Sequence, residues 1–80
     1  MERLLVTEEE LIGILNKELH KLESPEYYNF VGGIMRLKDP DKHGCNWSEA
    51  VIRASGTSVK PVLPLADRII QDAKKKYNLR

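Results

Sequence analysis

The run Asp39-Pro-Asp-Lys-His-Gly-Cys-Asn-Trp-Ser48 gathers the single tryptophan, the single cysteine and one of the two histidines of the chain. His43 stands two residues before Cys45. A base or cation that lowers a thiol pKa yields the thiolate, which is the nucleophilic form. Covalent catalysis also requires an oriented base and an oxyanion pocket, and no signature of a cysteine-enzyme family accompanies this pair. Cys45 is therefore expected to be a partly buried structural residue, and the protein is not expected to be an enzyme. Metal chemistry is equally poorly provided for. His20, His43 and Cys45, with Asp39 or Asp41 as a fourth ligand, lack the paired spacing of structural zinc sites. Asp39 and Asp41 alone supply too few oxygens for a calcium loop. Gly32-Gly33 lacks the longer glycine pattern and following helix of a phosphate loop. No cofactor is expected.

The same run has a structural reading. Asp39-Pro40-Asp41 and Gly44 are turn formers flanked by apolar, strand-like residues, so the segment is expected to connect two extended arms. The first arm starts near Tyr27, where Tyr28, Phe30, Gly32 and Ile34 alternate with Asn29, Val31 and Gly33. Met35 and Leu37 then take the opposite phase, which predicts a register shift or bulge at the tandem glycines. The second arm, Cys45 to Ala54, is read as a strand, with a short helix capped by Ser48 as the alternative. Trp47 is assigned to hairpin or core packing, with an interface anchor as the competing role.

Two amphipathic helices flank the arms. Thr7 followed by Glu8, Glu9 and Glu10 is a capping box, in which Thr7 accepts from the third helical amide and Glu10 reaches back to the cap. Leu11, Leu15, Leu19 and Leu22 form the buried stripe, with Ile12 and Ile14 at its edges. The helix is expected to stop near Ser24-Pro25. His20 falls opposite the stripe and is assigned to solvent. Glu18 projects toward the apolar arc, as an edge residue or as the partner of an arginine. The second helix is predicted from residue 62 or 64 to 78, with Pro61 and Pro64 at its entry. Its stripe is Val62, Ala66, Ile69, Ile70, Ala73 and Tyr77, and Arg68–Asp72 and Asp72–Lys76 are spaced for surface pairing. Lys74, Lys75 and Lys76 complement its carboxyl-terminal dipole. The order is helix, two-stranded antiparallel hairpin, helix: a single small α+β domain over residues 1–80, with both helices on one face of the hairpin. Residues 3–6 offer a third short strand, and an exposed edge would favour a homodimer.

Composition limits the function classes. The 80 residues are 41% hydrophobic and 31% charged, an ordinary globular balance. One cysteine cannot form an internal disulfide, the first residues lack a basic region and apolar run, and no stretch approaches the length of a membrane span. A cytoplasmic protein without membrane contact is expected. Residues 1–30 carry seven acids and three bases, whereas residues 31–80 carry ten bases and five acids, for a net charge of +1. This asymmetry favours intramolecular or head-to-tail attraction as readily as nucleic-acid binding, and it falls short of the basic excess of a DNA binder.

The segment Pro40-Asp41-Lys42-His43-Gly44-Cys45-Asn46-Trp47-Ser48, with Val51-Ile52-Arg53 and the closing Lys76-Tyr77-Asn78-Leu79, resembles a set of short bacterial proteins without assigned activity. The resemblance covers roughly residues 37–79, is most specific at Gly-Cys-Asn-Trp, and implies a small stand-alone cytosolic protein. The expected function is therefore that of a protein-interaction or accessory module. Its candidate partner-binding residues are His43, Gly44, Cys45, Asn46, Trp47, Arg36 and Arg53, for an unknown protein partner or a second copy. The alternative is weak nucleic-acid binding through a basic surface, with Lys60, Lys74, Lys75 and Lys76 as candidate contacts.

Overall fold

The computed structural model describes residues 3–22 and 27–80. The chain opens on strand β1 (Leu4–Val6) and enters helix α1 (Glu8–His20) through Thr7. The Thr7 hydroxyl accepts from the Glu10 amide at 3.1 Å, and the Glu10 carboxylate accepts from the Thr7 amide at 3.1 Å, so the capping box is complete. These bonds from Thr7, the backbone one first, hold the Glu10 carboxyl below its ordinary pKa. Leu11, Leu15 and Leu19 are fully buried, as their spacing requires.

Strands β2 (Tyr28–Gly32) and β3 (Val51–Ala54) pair antiparallel, with Tyr28 opposite Ala54 and Phe30 opposite Ile52. The register shifts between Phe30 and Gly32, at the expected bulge. Beyond it the two arms stay paired: Met35 donates to the Glu49 carbonyl, Ser48 to Met35, and Leu37 to Asn46. Gly33 makes the close approach possible. Its φ is +63°, and a Cβ there would lie 2.5 Å from Val51 Cγ2.

A single 3-10 turn over Lys60–Val62 leads into helix α2 (Leu63–Lys76), which carries a proline in its first turn. Val62, Ala66, Ile69, Ile70 and Ala73 are buried along its inner face. Strand β4 (Tyr77–Leu79) follows at once and pairs parallel with β1, Leu4 opposite Tyr77 and Val6 opposite Leu79. The two ends of the described chain thus lie side by side.

This architecture is α+β and contains the antiparallel hairpin, but it departs from a helix–hairpin–helix arrangement. The described residues form two two-stranded sheets, and residues 4–6 supply a strand to a parallel pair of their own. α1 packs against both β2 and α2, whereas α2 packs mainly on α1 and β4. Tyr77, read from its spacing as the last buried helical residue, opens β4 in extended conformation. It leaves the helix because its carbonyl and those around it find partners in the sheet and in the docked turn, an override of local propensity by tertiary pairing. Leu22 lies beyond the helix end and is 64% exposed. The stop expected at Ser24-Pro25 lies outside the described residues. His20 is half-buried, with Nε2 3.3 Å from the Tyr28 carbonyl and 3.0 Å from Asn29 Oδ1, so it bridges α1 to β2 instead of facing solvent. Glu18 is an exposed edge residue paired with Lys21 at 3.1 Å. Among the described residues the only other ion pair is Lys74–Asp41, so Arg68–Asp72 and Asp72–Lys76 do not close.

Each ribbon is completed by a side chain. Asn16 on α1 accepts from the Phe30 amide at 2.7 Å and donates to the Phe30 carbonyl at 3.0 Å, filling the outer edge of β2 as a neighbouring strand would. The two single glycine substitutions that follow from this geometry have opposite signs. Gly33→Ala should cost roughly 1–3 kcal/mol, from the left-handed backbone and the clash with Val51. Gly13→Ala, on the open face of α1 with nothing within 4 Å, should gain roughly 0.5–1 kcal/mol. Urea unfolding of the two variants beside the parent measures both.

Candidate functional site

The turn between the hairpin arms is built around Asp41. Its Oδ1 accepts from the His43 amide at 2.8 Å and from the Cys45 amide at 3.1 Å. The backbone closes the same loop, Gly44 donating to the Asp41 carbonyl and Asp41 to the Cys45 carbonyl. Lys74 Nζ lies 3.6 Å from the other carboxylate oxygen. The Cys45 and His43 amides, then the Lys74 charge, hold the Asp41 carboxyl below the ordinary aspartate range.

Gly44 to Trp47 dock onto β4. The Asn46 side chain donates to the Leu79 carbonyl at 2.8 Å and accepts from the Leu79 amide at 2.8 Å, so its carboxamide serves β4 as Asn16 serves β2. Asn78 answers in reverse, accepting from the Asn46 amide at 3.3 Å and donating to the Gly44 carbonyl at 3.0 Å. Trp47 is fully buried, and its Nε1 donates to the Tyr77 carbonyl at 3.0 Å. Cys45 is also buried, and its thiol donates to the Trp47 carbonyl at 3.2 Å. Within the run the sequence singled out, Asn46 and Trp47 therefore face the closing strand, Cys45 is buried with its thiol on the Trp47 carbonyl, and His43 and Gly44 are exposed.

Docking the turn creates a cleft of about 440 Å³ against the carboxyl-terminal half of α2, lined by Arg3, Asp41, His43, Cys45, Gln71, Lys74 and Lys75. Arg3 Nε donates to the Lys74 carbonyl at 2.7 Å, tying β1 to the last turn of α2. Arg3 Nη1 lies beside Gly44, 3.3 Å from where a Cβ would stand. Among the described residues three permanent cations and one carboxylate share this wall. A second groove of about 330 Å³, between residues 48–52 and α2, is lined by two acids, Glu49 and Asp67, and no cation. A third cavity of about 80 Å³ lies between the helices beside Lys76, Glu18 and Asp72.

The candidate residues thus divide. His43, Cys45, Lys74 and Lys75 meet at the cationic cleft, and Gly44 adjoins it beside Arg3. Lys76 turns to the interhelical cavity, Lys60 sits at the entry to α2, and Arg36 and Arg53 are exposed on the hairpin. Arg3 was missed by the sequence reading. Its only signal was a cation next to a short apolar run, which carries no information until β1 pairs with β4. Among the described residues no cluster of three His, Cys, Asp or Glu side chains is placed to hold a metal ion, and no helix is long and apolar enough to cross a membrane. Comparison with protein-family models, with curated proteins and with solved structures finds no match to this chain.

Removing the Asn46 carboxamide as Asn46→Ala should cost about 2–3 kcal/mol, because two part-buried backbone groups of Leu79 lose their partner. Amide exchange at Leu79, measured beside urea unfolding, should rise together with the loss of stability. The depressed Asp41 pKa sets the direction of a pH effect. Its contribution to stability is complete above the ordinary aspartate range and is lost as pH falls through the depressed native value. The His43 and Cys45 amide signals should follow that titration, with a midpoint below the ordinary aspartate pKa.

Proposed function

We propose that this protein is a protein-interaction module whose contact surface is the cleft between the Asp41–Cys45 turn and α2, and that its partner presents an acidic segment there. The observation that carries this reading is the convergence of Arg3, Lys74 and Lys75 on one cavity whose single carboxylate among the described residues, Asp41, is already engaged by two backbone amides. A concave wall with surplus positive charge attracts and orients an anionic segment.

Two features favour binding without catalysis. The thiol is buried and donates to a backbone carbonyl, so it presents no accessible sulfur to a substrate. Asp41, the carboxylate of the cleft, is held ionised by its turn, so it lacks the neutral pKa suited to proton transfer. A protein partner is preferred to nucleic acid because the basic side chains do not form a stripe. Lys76, Lys60, Arg36 and Arg53 lie away from the cleft, and among the described residues its wall carries no Phe, Tyr or Trp ring for base stacking.

A fluorescently labelled peptide alternating Glu and Gly tests the reading at low salt, with an alternating Gln and Gly peptide as the control. The acidic peptide should bind, and Lys74→Glu with Lys75→Glu should lower its affinity by about tenfold or more, since two cations become repulsive. Equal binding of the two peptides would remove the proposal. Tighter binding of oligothymidylate, with a steep fall in affinity as salt rises, would replace the protein partner with a nucleic acid.

A further inference from the structure

The charges of the cleft specify more than an acidic partner. Among the described residues, Arg3, Lys74 and Lys75 contribute three positive charges and Asp41 one negative to the wall of this cleft of about 440 Å³, an excess of two. Arg3 is oriented by its Nε bond to the Lys74 carbonyl, which leaves the paired terminal nitrogens of the guanidinium as the donors for an incoming group. A guanidinium held in this way recognises two oxygens at once. Lys74 is held only loosely, 3.6 Å from Asp41 Oδ2, and Lys75 is exposed and has no ion-pair partner among the described residues. The backbone amides of His43, Gly44 and Cys45 are consumed within the turn, so the side chains carry the recognition.

We infer that the cleft is a site for a phosphomonoester dianion, such as a phosphorylated side chain of the partner, and that Asp41 acts there as a resident competitor for Lys74. This rests on the proposed anionic-partner reading and narrows it. A phosphomonoester carries close to two negative charges at neutral pH and offers three acceptor oxygens, matching both the excess charge and the arginine fork. A lone carboxylate neutralises half of that excess. While the cleft is free, Asp41 draws Lys74 onto the turn. An arriving dianion takes Lys74 from it, and the remaining Asp41 charge, close to the site, opposes binding.

The test is an amide NMR titration of the full chain at low ionic strength with phenyl phosphate, and in parallel with benzoate. Phenyl phosphate should shift the amides of Arg3, His43, Gly44, Lys74 and Lys75, and benzoate should bind about tenfold more weakly. Lys75→Gln, a change at an exposed position, should weaken phenyl phosphate about threefold. Asp41→Asn keeps an oxygen to accept the His43 and Cys45 amides yet removes the charge, and it should tighten binding about threefold. Equal affinity for benzoate and phenyl phosphate, with acidic-peptide binding intact, would overturn the dianion site and leave the protein-interaction reading standing. An Asp41→Asn variant that binds no more tightly would overturn the competitor role. Silence toward both small anions and the acidic peptide would overturn the site and the underlying reading together.

Discussion

Every strand among the described residues belongs to a ribbon of two, and the fold depends on how the outer edges of those ribbons are filled. A strand in a two-stranded sheet leaves alternate backbone groups unpaired, and such ribbons are marginal in water. Two side-chain carboxamides supply partners. Asn16 pairs with both backbone groups of Phe30, and Asn46 with both backbone groups of Leu79. A carboxamide offers one acceptor and two donors in a plane, so it reproduces the hydrogen bonding of a peptide unit without requiring another strand. The first joins α1 to the hairpin, and the second joins the hairpin turn to the closing strand. Between them the hydrophobic core is sealed, with Phe30 and Leu79 both buried.

The cleft is a by-product of the second of these junctions. Docking the turn on β4 brings Asp41, His43 and Cys45 against α2, and the β1–β4 pairing brings Arg3 to the same wall. The segment richest in unusual residues thus has two faces. Asn46 and Trp47 hold the turn down, while Asp41 and His43 and the neighbouring lysines border solvent. Asparagine and tryptophan here attach the turn: the Asn46 carboxamide pairs with Leu79, and Trp47 fills the core and satisfies its own indole N–H on Tyr77. The charge asymmetry along the chain acquires a location as well, because part of the basic second half gathers at this cleft.

Elements governed by neighbours in sequence were readable in advance. The capping box at Thr7, the leucines of α1, the inner stripe of α2 and the bulge near Gly32-Gly33, between Phe30 and Gly32, each follow from residues within a few positions of one another. The errors share the opposite character. His20 was assigned to solvent because helical periodicity describes a helix alone, whereas β2 reaches around to receive its ring. Tyr77 was assigned to the helix because its spacing fits the stripe, yet β1 and Trp47 offer its backbone a better partner. Asn16 carried no signal at all, since an asparagine that bonds a distant strand looks the same in sequence as one that faces water.

By itself, then, the sequence determined the helices with their buried faces, the existence of a hairpin with its bulge, and the polar and charged content of the turn. These are consequences of propensity, periodicity and capping, which act over one or two helical turns. Only the tertiary structure decided that β1 meets β4, that the turn lies on that pair through Asn46 and Trp47, and that Arg3 and Lys74 face a common cleft. Those pairings join residues thirty or more, and in one case more than seventy, positions apart. Backbone groups in an edge strand accept any partner of suitable geometry, so the choice among partners is made when the chain closes on itself and the core excludes water.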